Sequence, residues 1–166
     1  MRNVLHVDLN SFYVSCEVAA NPGVYREDDL LAVAGDPERR CGVILACSRR
    51  AKDIGIKAGM PVGRAKNVCP DLRLIRPHFP MYFEFSARVM KILKQYSPII
   101  EKYGIDEAWL DVTECGKLFG TPVDIARKIA ARIKSDLHLT VSIGVSYNKL
   151  MAKMASDMKK PDAITV

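Results

Sequence analysis

Five cysteines are spread along 166 residues without a single C-x-x-C pair, and none of the three histidines stands at zinc-ligand spacing from them. That argues against a thiolate–imidazole metal centre. It leaves reduced, mostly buried thiols of the kind a cytosolic protein keeps, and no His/Cys cluster competes with carboxylates for a metal ion. No apolar run approaches the length of a membrane span, and no basic-then-apolar leader opens the chain, so neither insertion nor secretion is expected. Internal repeats and low-complexity tracts are missing as well.

What remains is a chain that is 49% apolar, long enough to bury a real core as one domain or as one domain carrying a sizeable insertion. Its net charge is +6, which favours an anionic partner. The excess is regional. Residues 35–77 hold ten Lys/Arg (Arg39, Arg40, Arg49, Arg50, Lys52, Lys57, Arg64, Lys66, Arg73, Arg76) against four acids (Asp36, Glu38, Asp53, Asp71), so the rest of the chain is neutral overall. A phosphate-facing lobe has this character; a plain solvated basic surface has it too.

Residues 4–9 read as a buried strand with Asp8 near its end. Ser11 stands where a helix through about Ala20 would take its cap, and Asn21-Pro22-Gly23 stops that helix. Residues 30–35 and 42–47 suggest two strands around a polar turn at 36–40, followed by short helices at 48–54 and 62–68 and a weak strand at 72–75. Phe79, Tyr82, Phe83, Val89, Ile92, Leu93 and Tyr96 recur at threes and fours, predicting a long amphipathic helix that Pro98 ends. Residues 99–103 and 108–113 form a hairpin across Gly104-Ile105-Asp106-Glu107. Thr121 then caps a helix with Pro122 in its first turn and Val123, Ala126, Ile129, Ala130, Ile133 and Leu137 as its apolar stripe, leaving Arg127, Lys128, Arg132 and Lys134 on a solvated face. A strand at 140–145 and a helix at 148–159 follow.

With residues 10–78 set aside, the order is strand, helix, strand, strand, helix, strand. That is a ferredoxin-like α+β sheet (β-α-β-β-α-β) with the basic stretch as a small α/β insertion after the first strand. In this topology the first strand neighbours the hairpin, so Asp8 can meet Asp106 and Glu107. Three carboxylates beside one another suit phosphate chemistry with divalent ions, because hard cations prefer oxygen donors. Adjacent strand residues point to opposite faces, so Asp106 and Glu107 must occupy the turn or its distorted first residue, a bend that Gly104 eases. Asp111, farther along the strand, reads as structural.

The blocks Val7-Asp8-Leu9-Asn10-Ser11-Phe12-Tyr13, Gly55-Ile56-Lys57-Ala58-Gly59-Met60-Pro61, Ile105-Asp106-Glu107-Ala108-Trp109-Leu110-Asp111 and Gly144-Val145-Ser146-Tyr147-Asn148-Lys149 occur in order along the whole chain. Together they resemble Y-family translesion DNA polymerases, with the bacterial DNA polymerase IV branch nearest. The resemblance implies a palm (1–21 and 77–166), fingers (22–76), and a thumb and little finger beyond Val166, making this a partial chain. It implies template-directed transfer of deoxynucleotides to a primer 3′-hydroxyl with release of pyrophosphate. Two Mg2+ ions would be held by Asp8, Asp106, Glu107 and the Leu9 carbonyl, with Glu107 completing the primer-side shell. Tyr13 matches the steric gate against a ribose 2′-hydroxyl. The amides of Asn10, Ser11, Phe12 and Tyr13 would cradle the triphosphate, and Lys160 would reach its β and γ phosphates. Lys149 matches a family block without an evident role. Implied partners are primer–template DNA, deoxynucleoside triphosphates and, through regions outside this chain, a sliding clamp; the implied location is cytoplasmic, at the nucleoid.

The chain also departs from the family pattern. Where a Ser/Thr, an Asn-Tyr and then an Arg are usual, it reads Ala46-Cys47-Ser48-Arg49-Arg50-Ala51-Lys52. Arg49 takes the Tyr place and Lys52 the Arg place, which keeps cations for phosphate but loses stacking on the base. Altered nucleotide affinity or base preference is therefore expected. Gly104 replaces a usual Ser. Two other readings stay open at this point: a nucleotidyl cyclase or related palm-type enzyme, and a non-catalytic DNA-binding module that uses the basic insertion.

Overall fold

The computed structural model describes residues 2–35 and 42–166. In chain order the elements are β1 (Val4–Leu9), α1 (Phe12–Ala20), β2 (Leu31–Ala34), β3 (Ile44–Cys47), α2 (Arg49–Asp53), α3 (Val62–Val68), β4 (Arg73–Ile75), α4 (Phe79–Leu93), β5 (Ile99–Tyr103), β6 (Glu107–Asp111), α5 (Gly116–Phe119), α6 (Pro122–Leu137), β7 (Val141–Ser146), α7 (Lys149–Met158) and β8 (Ile164–Thr165). The polar turn expected at 36–40 and Cys41 lie outside the described residues. The other cysteines, Cys16, Cys47, Cys69 and Cys115, are buried and form no disulfide among the described residues. Among the described residues no helix is long and apolar enough to cross a membrane.

Two compact units emerge: Met1–Asn10 with Phe83–Val166, and Ser11–Tyr82. The first is built on a five-stranded sheet in the order β5-β6-β1-β7-β8. β1 runs antiparallel to both β6 and β7, and β8 adds a short parallel edge to β7 that the sequence did not announce. Without β8 the order is the ferredoxin-like one. Every residue of β1 is buried, as a central strand covered on both faces requires.

Two helices cover those faces. α6 packs on β7 and β1, burying Ile125, Ala126, Ile129, Ile133 and Leu137. Its start is fixed as expected: the Thr121 side chain accepts from the Asp124 amide while Asp124 caps the Thr121 amide, with Pro122 in the first turn. The basic residues of this helix are exposed, and Arg127 and Arg132 pair with Asp124 and Asp136 on the helix surface. α7 lies across the same two strands, so it takes the opposite face. Its contact with β7 is made possible by Gly144: a Cβ there would fall 1.8 Å from the Ala152 carbonyl oxygen and 2.5 Å from the Ser156 nitrogen. Asn148 caps α7 by accepting from the Met151 amide at 2.8 Å.

The second unit folds around the three-stranded sheet β3-β2-β4, with β2 antiparallel to β3 and parallel to β4. Its core gathers Ala32, Ala34, Ile44, Cys47, Ala51, Ile56, Val62, Ala65, Cys69 and Leu72. Two local expectations change here. The predicted apolar stripe of α4 included Phe79 and Phe83, which are exposed, while Phe85 is buried in their place. Ser11 does precede α1, but its side chain makes no capping bond and its backbone is left-handed at φ 47° and ψ 41°.

Candidate functional site

Asp8 stands directly opposite Glu107 in the β1–β6 register, and His6 opposite Trp109. Side chains of directly paired residues share a face, as do positions two apart on a strand. His6, Asp8 and Glu107 therefore line one face of the sheet, the face that carries α7. One ligand atom from each of the three comes within 4.8 Å of the others. Asp106 belongs to the turn and Glu107 to the first position of β6, the arrangement that adjacent acids need if both are to serve one end of the sheet. Gly104 takes φ +71° in that turn. The Asp106 carbonyl accepts from the Leu9 amide at 3.0 Å, and Ser86 donates to the Ile105 carbonyl at 2.5 Å. The bend is thus held from β1 and from α4.

Among the described residues, His6 joins Asp8 and Glu107 at ligand distance, and the Asp106 carboxyl lies outside that group. Asp106 is nonetheless coupled to it. Burial first, then the charges of Asp8 and Glu107, raise its pKa above the usual 3.8. Burial likewise raises Asp8, against the opposing pull of Lys160. Crowded, partly desolvated carboxylates of this kind call for a counter-charge.

Lysines supply some of it. Lys160 Nζ is 2.6 Å from Asp8 Oδ2 and 2.7 Å from Asp157 Oδ1. Lys153 Nζ is 2.5 Å from Glu107 Oε2. Burial works against the charge on both ammonium groups, yet hydrogen bonds to the carboxylates raise both pKa values on balance. The buried His6 ring reaches Ser156 Oγ through Nδ1 at 2.7 Å and Glu107 Oε2 through Nε2 at 3.0 Å. Burial, then the Lys153 charge, lowers its pKa from 6.5. Lys153, Ser156 and His6 were all missed in the sequence. The alternation that puts His6 on the face of Asp8 was available there; the identity of the α7 residues facing them was not.

Asn10 follows at the end of β1. Its amide, expected among the phosphate-cradling donors, is taken by the Thr140 carbonyl at 3.0 Å. Its side chain lies between Thr140 Oγ1 at 3.2 Å and Ser142 Oγ at 2.9 Å. Asp111 is structural: it accepts from Arg2 at 2.7 Å and from the Thr113 hydroxyl at 2.6 Å. Lys149 pairs with Glu101 at 2.5 Å and lies 4.5 Å from the centre of the Trp109 ring.

Within the second unit, Tyr13 packs in an aromatic group. Its ring centre is 4.8 Å from Tyr82, 5.7 Å from Phe12 and 6.2 Å from Phe79. Tyr82 is anchored from behind: its hydroxyl donates to Glu17 Oε1 at 2.5 Å, and His78 Nδ1 lies 2.8 Å from the same oxygen. Glu17 is wholly buried, and its Oε2 has no hydrogen-bond partner among the described residues. Ser11 Oγ, free of capping duty, accepts from Lys52 Nζ at 2.8 Å. Arg49 is exposed, 3.9 Å from Asp53.

Comparison with known proteins adds to this geometry. Residues 7–157 match the model of the impB/mucB/samB family. DNA polymerase IV of Pelotomaculum thermopropionicum is 45% identical over 163 residues, covering 98% of this chain and 40% of that protein. The DNA polymerase IV of Acetivibrio thermocellus is 46% identical over 165 residues, covering 99% and 41%. Among solved structures, DinB from Sulfolobus solfataricus is similar with a TM-score of 0.89 at 32% identity, over 98% of this chain and 47% of that one. An insertion ternary complex of Dbh DNA polymerase gives 0.88 at 33% identity, over 98% and 48%. The chain spans about two fifths of the length of these curated relatives.

Proposed function

Since the chain belongs to the impB/mucB/samB family, whose members among its relatives are DNA polymerases IV, we propose that it is the catalytic palm and fingers portion of a lesion-bypass DNA polymerase. The observation that carries this reading is the acidic group at one end of the β1–β6 pair, where Asp8 stands opposite Glu107 and the charges of both, after burial, raise the pKa of Asp106 in the adjoining turn.

A pair of Mg2+ ions fits that demand, since the donors are hard carboxylate oxygens and Asp106 is held above its usual pKa partly by its neighbours' charge. Asp8, Asp106 and Glu107, with the Leu9 carbonyl, would hold them. When bound, the ions supply Lewis acidity to the primer 3′-hydroxyl and charge neutralisation to the triphosphate. The chain's own residues do the rest. Lys153 holds Glu107 by one oxygen. Lys160 exchanges Asp8 and Asp157 for the β and γ phosphates of a deoxynucleoside triphosphate. The amides of Phe12 and Tyr13 stand in the first turn of α1, the end of a helix that attracts phosphate. Lys52 and Arg49 add positive charge, and the Tyr13 ring, stiffened by Tyr82 and Phe79, closes the space a 2′-hydroxyl would need. Primer–template DNA is the proposed macromolecular partner, which puts the protein at the nucleoid, with a sliding clamp engaged by other regions of a longer polymerase.

The test is primer extension with Asp106→Ala. Loss of extension with an unchanged circular dichroism spectrum is expected, whereas full extension would remove the carboxylate assignment. Independently, a deoxynucleoside triphosphate with Mg2+ at one hundred times its Kd should stabilise the chain by about 2.7 kcal/mol. A purely DNA-binding module would show no such stabilisation.

A further inference from the structure

His6 is the one wholly buried histidine among the described residues, and nothing in the proposed chemistry uses it. We propose that His6 is a positioning residue for Glu107, its ring proton directed at the carboxylate by Ser156. The inference rests on the reading of Glu107 as a metal-holding carboxylate.

Hydrogen counting carries it. Ser156 Oγ lies 2.7 Å from His6 Nδ1 and also 2.7 Å from the Lys153 carbonyl oxygen. A hydroxyl has one proton to give, and an imidazole with a single N–H has one as well. If Ser156 donates to Nδ1, then Nε2 carries the ring proton and donates to Glu107 Oε2, 3.0 Å away. If Ser156 donates to the carbonyl instead, Nδ1 carries the proton and a bare Nε2 lone pair faces a carboxylate oxygen. Only the first arrangement makes the Nε2–Oε2 contact attractive, and its cost is the Ser156 bond to the Lys153 carbonyl.

The rest of the surroundings agree. Lys153 Nζ donates to the same Oε2 at 2.5 Å, so among the described residues both donors to Glu107 grip one oxygen, leaving Oε1 for a ligand. The ring cannot swing away: Trp109 lies beside it, 4.9 Å between centres, and Trp109 is itself tied to the Lys149 carbonyl at 3.1 Å. Ser156 is delivered by α7, which reaches the sheet because Gly144 has no side chain. Outer partners that orient a metal-holding side chain typically govern ~10–100-fold in metal affinity.

The experiment measures Mn2+ binding to the 166-residue chain by water-proton relaxation, with circular dichroism to confirm folding. His6→Leu, which keeps the bulk and removes both nitrogens, should weaken Mn2+ binding by ~10-fold or more. His6→Gln, whose amide nitrogen can stand at the Nε2 position and donate, should restore it to within about three-fold, on the same reasoning. Ser156→Ala, which leaves β1 untouched and frees the tautomer, should fall between the two, and it carries the test if His6→Leu fails to fold. Parent-like affinity in both His6→Leu and Ser156→Ala would overturn the proposal. So would a His6→Gln as weak as His6→Leu whose loss is greater for Cd2+ than for Mn2+, since that pattern marks His6 as a metal ligand. Asp8→Asn is the separate control: unchanged Mn2+ binding there would overturn the metal reading itself, whatever the His6 variants do.

Discussion

Adding one carbon at Gly144 should disturb the fold and the acidic site together. The Cβ of a Gly144→Ala variant would stand 1.8 Å from the Ala152 oxygen, 2.5 Å from the Ser156 nitrogen and 2.9 Å from the Ala152 carbonyl carbon. All three are backbone atoms, so no side chain can rotate out of the way. Restoring an ordinary contact of 3.4 Å means moving α7 outward by about 1.6 Å. Overpacking of this kind costs ~1–3 kcal/mol, and rigid helix backbone points to the upper end. For a chain of this size that is about 6–12 °C in Tm at ~2–4 °C per kcal/mol. The same movement stretches the 2.7 Å Ser156–His6 and 2.5 Å Lys153–Glu107 contacts beyond bonding range. Thermal unfolding and Mn2+ affinity measured on one preparation should therefore fall together. Gly63, in α3, is the comparison, because a Cβ there meets nothing within 4 Å; Gly63→Ala should gain ~0.5–1 kcal/mol from helix propensity. A Gly144→Ala protein as stable as its parent, or one that loses stability while keeping full Mn2+ affinity, would refute the link between helix seating and site geometry.

The raised pKa of Asp106 fixes the sign of a pH effect. A carboxyl whose folded value exceeds its unfolded one contributes stability that is complete below 3.8 and is lost as pH rises through the folded value. Without divalent ions, Asp106→Asn should therefore melt above its parent at pH 7, with the gap closing as pH approaches 4; a gap that widens on acidification contradicts the assignment. Tyr82→Phe removes the hydroxyl that donates to buried Glu17 Oε1, and urea denaturation should show a loss of ~1–3 kcal/mol. A loss below ~0.5 kcal/mol would mean that Glu17 does not depend on that bond. Tyr13→Ala should raise ribonucleotide incorporation in a full-length polymerase, and unchanged sugar selectivity would remove Tyr13 from the gate role.

The order and type of the longer elements were legible because each rests on local rules, whereas the four-residue α5 and two-residue β8 were not read from the sequence. A buried apolar run marks β1, Thr121 and Pro122 mark the start of α6, and a three-four periodicity marks its buried stripe. The meeting of Asp8 with the hairpin acids followed from element order alone, since ferredoxin-like connectivity makes β1 the neighbour of β6. The bend that lets Asp106 and Glu107 serve one end of the sheet followed from strand alternation and a glycine.

Other features depended on three-dimensional juxtaposition. Ser11 looks like a helix cap by residue type, yet its left-handed backbone turns the hydroxyl away to Lys52, and no local signal separates those uses. Two-residue β8 is too short to carry a pattern and exists only because β7 offers an open edge. His6, Ser156, Lys153 and Glu107 are brought together from segments as far apart as 150 positions, by the close seating of α7 over Gly144. Periodicity along a chain tells which residues share a strand face or a helix stripe. Which helix residues then meet which strand residues is decided by packing distance, and here that distance is set by the absence of one methyl group.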